Sequence, residues 1–322
     1  MPVPPVLIEV WRGDVLESQH RGSFVLLEPD GTVASSAGDV DATMLPRSSL
    51  KPFQTVAMCA EGFGGDDSQV ALACASHDGE RVHLDAVRGV LASAGLDESA
   101  LGCPADLPGG RAALQEWVRA GDGPARICHN CSGKHAAMVA TCAARGWDVP
   151  GYLDASHPLH SAIRTTIERV GGDPVRTVTV DGCGAPAFAI TLAGLARGFG
   201  ALALAPAGSP EARVRDAMTA HPQLVGGTGR PVTELMAGVP GLLCKDGAEG
   251  VWGASLADGR AFAAKVADGG ARALGPVLAA ALRYWAVDAS VVAVQSTVAV
   301  LGGGEPVGRV SWSPGLRELL SI

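Results

Sequence analysis

Ser48 and Lys51 stand three residues apart in Pro46-Arg-Ser-Ser-Leu-Lys-Pro52. A serine hydroxyl becomes a nucleophile when a base takes its proton. A lysine is such a base only when burial or a neighbouring cation keeps its amine neutral. Residues three apart share a helical face, so the two side chains can meet if a helix opens here. The positive end of that helix would lower the amine pKa and offer N–H groups to an oxyanion. Pro52 disfavours helical backbone at Lys51 and is itself favoured in a first turn, so the turn leading into the helix is an equal alternative place for the pair. Taken alone, S-x-x-K also describes an N-cap beside a solvated lysine.

Three further segments carry reactive side chains. Ala73-Cys-Ala-Ser76-His77-Asp78-Gly-Glu80 puts polar groups at the end of an apolar run; Asp78 reads as the cap of the helix that follows, and Ser76 is open to a role in a site. Phe262-Ala-Ala-Lys265-Val places a lysine in an apolar strand, either as an exposed charge or as a buried functional amine. Ile127-Cys128-His129-Asn130-Cys131-Ser132-Gly133-Lys134-His135 is the densest ligand-type segment, and Asp181-Gly-Cys183-Gly adds a thiol on a glycine-flanked turn. Thiolate and imidazole suit zinc, but a lone C-x-x-C is a weak signal that small buried thiols explain equally well.

The elements that must position these groups follow from periodicity. Val6–Arg12, Val15–Arg21, Phe24–Leu27 and Val33–Ser36 read as strands of an opening meander. Helical spacing covers residues 47–62, 80–94, 110–120, 132–145, 158–170, 186–195, 210–220 and 271–287. Val175–Val180, Val251–Ser255, Ala261–Val266 and Gly308–Trp312 read as strands. Strands thus bracket a helix-rich middle, which predicts an α/β or, more specifically, α+β architecture: a mixed sheet built from both ends and flanked by helices. No linker or repeat divides the chain, so residues 1–322 read as one catalytic unit with room for two closely packed subdomains.

With 47% hydrophobic and 18% charged residues, the composition is that of a globular chain. A formal charge of −8 argues against nucleic acid as a partner, since phosphates require a basic surface. Two Tyr and six Phe leave few stacking platforms for single strands. No apolar run approaches a membrane span and no signal peptide is visible. Eight cysteines in a chain this long do not form a disulfide framework, which predicts a cytoplasmic protein with free thiols.

Five motifs occur together and in order: Arg47-Ser-Ser-Leu-Lys-Pro52, Ala75-Ser-His-Asp-Gly-Glu80, Asn130-Cys-Ser-Gly-Lys-His135, Asp181-Gly-Cys-Gly-Ala-Pro186 and Lys245-Asp-Gly-Ala-Glu-Gly250. Together they resemble the L-asparaginase II family, the rhizobial-type or class 3 asparaginases. The resemblance implies a fold like that of serine β-lactamases and glutaminases, a homodimer, and hydrolysis of L-asparagine to aspartate and ammonia. It implies Ser48 as nucleophile with Lys51, and Ser76 with Lys265 as a second Ser–Lys tandem in the same pocket. It further implies a zinc ion on Cys131, Lys134 and Cys183, with water completing the shell, and substrate orientation by Arg47, His135 and Asp181. Zinc then supports the substrate-side loop rather than activating water. Two other classes stay open at this point: a metal-dependent aminohydrolase or a glutaminase- or β-lactamase-like serine hydrolase, and a non-enzymatic zinc or thiol sensor.

Overall fold

The computed structural model describes residues 3–322. Its eleven strands are β1 (Val6–Arg12), β2 (Val15–Leu27), β3 (Val33–Ala37), β4 (Thr43–Met44), β5 (Thr177–Val180), β6 (Pro186–Thr191), β7 (Leu243–Gly247), β8 (Val251–Ser255), β9 (Ala261–Val266), β10 (Val298–Gly302) and β11 (Glu305–Trp312). The helices are α1 (Lys51–Ala60), α2 (Asp67–Ala73), α3 (Arg81–Ser93), α4 (Arg111–Arg119), α5 (Ser132–Arg145), α6 (Pro158–Gly171), α7 (Leu192–Ala203), α8 (Pro210–Ala220), α9 (Pro222–Val225), α10 (Pro231–Gly238), α11 (Leu274–Tyr284), α12 (Ser290–Ser296) and α13 (Pro314–Leu320). Among the described residues no helix is long and apolar enough to cross a membrane.

Strands from both ends of the chain build one eight-stranded sheet, in the order β10-β11-β1-β2-β9-β8-β7 with β3 joined to β2. The α+β architecture is therefore the one the element order predicts, and its strand pairings are antiparallel. The two strands expected over Val15–Arg21 and Phe24–Leu27 are one. Its first half pairs with β1 and its second half with β9, so the 13-residue β2 joins the two ends of the sheet. A small second sheet, β4-β6-β5, lies apart.

Helix α7 covers the sheet, and this contact demands small residues beneath it. A Cβ at Gly253 of β8 would lie 2.1 Å from a ring carbon of Phe199, so only glycine lets the helix settle there. Phe199 in turn meets Phe53 of α1, with ring centroids 5.4 Å apart. Helix α5 is buried continuously from Ser132 to Cys142, in keeping with the small and apolar residues that fill most of that stretch.

The helix expected over Pro186–Leu195 is corrected: Pro186–Thr191 is the wholly buried strand β6, and the helix begins at Leu192. The Asp181–Ala185 turn closes a hairpin that pairs Val180 with Pro186 and Val178 with Phe188. That pairing and burial override the helical preference of the alanines. Strand β10 and helices α12 and α13 also form where periodicity gave no signal.

Candidate active site

The chain reaches Ser48 through a turn that few residues tolerate. Arg47 has φ +54°, a left-handed backbone that L side chains disfavour by about 1–3 kcal/mol unless their surroundings hold them there. One restraint is an ion pair in which the Arg47 guanidinium donates to Asp181 Oδ1 at 2.6 Å. A 3₁₀ turn over Arg47–Leu50 follows and runs into α1, whose first residue is Lys51 and whose second is Pro52. The pair thus lies where the 3₁₀ turn becomes the helix. In 3₁₀ geometry side chains three apart eclipse, so the turn sets Ser48 and Lys51 on the same side.

The two neighbouring serines are distinguished by their surroundings. Ser49 is fully buried and its Oγ donates to the Lys245 carbonyl at 3.1 Å. Ser48 is partly exposed, which leaves it the serine a substrate can reach. Lys51 is 1% exposed, and its amine donates to Ser76 Oγ at 3.0 Å and to the Ala75 carbonyl. The structure therefore brings Lys51 and Ser76 together from two elements, with Ser48 one turn before Lys51 in the chain. Ser76 is held in place by its own N–H on the Val225 carbonyl.

Lys265, the expected partner of Ser76, is placed elsewhere. It sits near the end of β9, half-buried, with its amine on the Glu249 and Val266 carbonyls. Burial depresses its pKa, partly offset by Glu249 and Asp268; none of Ser48, Lys51 or Ser76 faces it. The buried amine beside Lys51 is instead Lys245 on β7, an edge strand. The strand presses against the 3₁₀ turn so closely that a Cβ at Gly247 would lie 2.3 Å from the Pro46 carbonyl. Burial lowers the Lys245 pKa and the charge of Lys51 adds to this, while Asp246 opposes it. The sequence signal for Lys245 was the Lys-Asp-Gly motif itself, whose adjacent acid resembles an ordinary surface ion pair.

Asp246 is the hub of a buried charge chain. It pairs with Lys245, and it accepts from Arg230 at 3.0 Å, while Arg230 also donates to Asp78 at 2.7 Å. Burial opposes the Asp246 charge, but Lys245 and Arg230 outweigh it and bring the pKa down to about 2. Asp78 therefore anchors Arg230 and does not cap α3. Glu80 occupies the cap position, its N–H donating to His83 Nδ1 at 3.1 Å.

The cysteine segment forms a second cluster beside the first. Cys131 caps α5, so Cys131, Lys134 and His135 fall at i, i+3 and i+4 on one helical face. Gly133 faces the other way, against Leu72, where a Cβ would approach the carbonyl oxygen to 2.6 Å. Cys183 is delivered by the β5–β6 turn, closed by Gly184 N–H on the Asp181 carbonyl with Gly184 at φ +86°. Lys134 Nζ reaches Cys183 Sγ at 3.1 Å. A hydrogen bond with Cys183, then Lys51 and Lys134, hold the Cys131 thiol well below the ordinary range despite its burial. Burial alone would depress Lys134; Cys183, Cys131 and Asp181 outweigh it and raise its pKa.

The lowered Cys131 thiol, the Cys183 sulfur and, once it sheds its proton, the Lys134 amine form a donor set that fits a borderline-soft divalent ion such as zinc. Among the described residues no three His, Cys, Asp or Glu side chains gather as a metal-holding group, so the amine is a necessary member of any such set. Cys128 faces away toward Glu98 and Arg88, outside this cluster. His135 is fully buried with its Nδ1 on the Tyr152 hydroxyl, whereas the Arg47–Asp181 pair is partly exposed.

Comparison with known proteins adds to this geometry. Among curated proteins nothing matches the chain. Similar solved structures include Mglu in its native form, at 17% identity and TM-score 0.35, covering 80% of this chain and 62% of that one. This chain thus spans about three fifths of Mglu's length. Another is a β-lactamase (Mb2281c) from Mycobacterium bovis, at 14% identity and TM-score 0.39, covering 77% of this chain and 88% of that one. Both likenesses are too slight to carry an argument. The family description "L-asparaginase II" matches residues 8–312, nearly the whole sequence and every motif of the site, and on that match the chain belongs to the L-asparaginase II family of amidohydrolases.

Proposed function

We propose that the chain hydrolyses the side-chain amide of L-asparagine to L-aspartate and ammonia through an acyl-enzyme on Ser48. The observation that carries this reading is the buried Lys51 amine on Ser76 Oγ at 3.0 Å, one turn along the chain from the partly exposed Ser48. Ser48 Oγ attacks the carboxamide carbon and passes its proton to Lys51. As the C–N bond breaks, Ser76 relays a proton from Lys51 to the departing nitrogen, which leaves as ammonia. Water then attacks the ester, returns the serine proton and releases aspartate. Backbone N–H groups at the turn around Ser48 receive the oxyanion, an interaction worth about 3–4 kcal/mol per donor. Lys245 takes the place that the sequence reading gave to Lys265, adding a second amine to the same pocket.

The Arg47–Asp181 pair at the rim supports an amino-acid substrate. An α-carboxylate finds its counter-charge in Arg47 and an α-ammonium in Asp181, so the substrate replaces an existing ion pair with two. Zinc, held by Cys131, Lys134 and Cys183, would supply a fixed positive charge that ties the Asp181–Ala185 turn to α5. This fixes Asp181 for substrate without any role in proton transfer. A homodimer and a cytoplasmic setting belong to the same proposal.

Ammonia release from asparagine, glutamine and a chromogenic β-lactam tests the substrate, and Ser48→Ala tests the nucleophile. Turnover by Ser48→Ala comparable to that of the parent enzyme would overturn the mechanism.

A further inference from the structure

Tyr152 is 2% exposed and its hydroxyl has two polar neighbours. The Gly102 N–H donates to it at 2.7 Å, and His135 Nδ1 lies 2.6 Å away. A backbone amide can only donate, so the phenolic proton has one acceptor within reach, the Nδ1 lone pair. A neutral imidazole that accepts at Nδ1 carries its own proton on Nε2. That Nε2 is buried and has no hydrogen-bond partner among the described residues. Cys183 lies beside the ring. A buried N–H left without an acceptor is destabilising, and the Cys183 sulfur is the acceptor at hand.

We infer that Tyr152 is a positioning residue of the cysteine cluster: its hydroxyl fixes His135 as the Nε2–H tautomer and aims that N–H at Cys183, which steadies the sulfur as a metal ligand. His135 then serves the ligand from outside rather than joining the shell, in keeping with the absence of a three-membered His, Cys, Asp or Glu group among the described residues. The surroundings of Tyr152 are built for this task. Its carbonyl accepts from His160 Nε2 at 2.7 Å, which pins the backbone. Gly102 is required opposite, because a Cβ there would lie 2.8 Å from the hydroxyl oxygen. Groups that orient metal ligands in this way typically change metal affinity about 10–100-fold when removed.

This inference rests on the reading of Cys131, Lys134 and Cys183 as zinc ligands, and two measurements separate the two claims. Nitrogen-15 spectra of the full-length, histidine-labelled protein report the His135 tautomer with no variant required. Competition with a chromogenic chelator reports zinc affinity for the parent protein and for Tyr152→Phe. The expected results are an Nε2–H tautomer in the parent, loss of that fixed tautomer in Tyr152→Phe, and zinc affinity weakened about 10–100-fold. An Nδ1–H tautomer in the parent, or unchanged zinc affinity in a folded Tyr152→Phe, overturns the role of Tyr152. A parent protein that shows the Nε2–H tautomer but binds no zinc overturns the ligand assignment while leaving the Tyr152–His135 contact standing.

Discussion

Replacing Asp246 by asparagine tests the buried charge chain that holds β7 against the nucleophile turn. The carboxylate is shared by Lys245 and Arg230, and its pKa falls from 3.8 to about 2. A folded-state pKa below the unfolded one stabilises the protein above the unfolded value, and the contribution disappears as pH falls through the folded value. Here the window runs from about 4 down to about 2, and the full contribution at neutral pH is about 2 kcal/mol. Asparagine also leaves the fully buried Lys245 amine without its counter-ion, and breaking a buried pair from one side costs about 3–5 kcal/mol. Asp246→Asn is therefore expected to lose about 2–5 kcal/mol at neutral pH.

Urea unfolding followed through tryptophan fluorescence measures this, since Trp252 on β8 is 1% exposed and pairs directly with Asp246. At about pH 3 the parent carboxylate has surrendered roughly half of its linkage contribution, so the gap between parent and variant narrows by about 1 kcal/mol. A loss below about 1 kcal/mol at neutral pH, or a gap that widens on acidification, refutes the claim that this carboxylate balances the two cations.

The remaining expectations concern turnover, packing and metal. Ser48→Ala should lower ammonia release by at least about 10⁴-fold, because a nucleophile has no substitute in its own step, with an unchanged unfolding midpoint. Lys245→Met should reduce kcat/KM by at least about 10²-fold and Lys265→Met by less than about twofold, judged by the same ammonia assay; the opposite order returns the second amine to β9. Gly133→Ala should destabilise by about 1–3 kcal/mol in urea titration, since α5 cannot keep its distance from the Leu72 carbonyl once a methyl stands between them. Protein stripped of zinc, with removal verified by elemental analysis, should retain turnover at saturating asparagine with a raised KM. Complete loss of kcat assigns the ion a part in the chemistry.

Much of the site was legible because its chemistry is local in sequence. Cys131, Lys134 and His135 share a face by helical spacing alone, and the structure keeps them on it. Ser48 and Lys51 are joined by a single turn, and Pro52 announced where that turn becomes a helix. The strands Val6–Arg12, Val251–Ser255 and Ala261–Val266 form over the expected residues because β-branched and alternating patterns bounded by turns leave few alternatives. The segment over Pro186–Leu195 failed for the complementary reason. Its partner strand lies across a turn, so the pairing that decides its state is not encoded in its own periodicity.

The second lysine shows where a one-dimensional reading stops. Lys245 and Lys265 both lie in largely apolar strands, and alternation assigns each a face without saying what covers it. In this fold the cover differs along the sheet. At β7 the 3₁₀ turn lies directly on the strand, with Ser49 Oγ bonded to the Lys245 carbonyl and no room for a Cβ at Gly247. At the end of β9 the Lys265 amine is half-buried on two backbone carbonyls, with Glu249 and Asp268 nearby. An amine enclosed on all sides needs a nearby acid to be tolerated, and Asp246 meets that need while Arg230 keeps the acid from neutralising Lys245 outright. The acid beside Lys245 is thus the condition for burying that lysine against Lys51. A functional amine in a pocket of this kind is identified by its enclosure and its counter-ion together, and in this chain both become visible only once β7 meets the turn that carries Ser48.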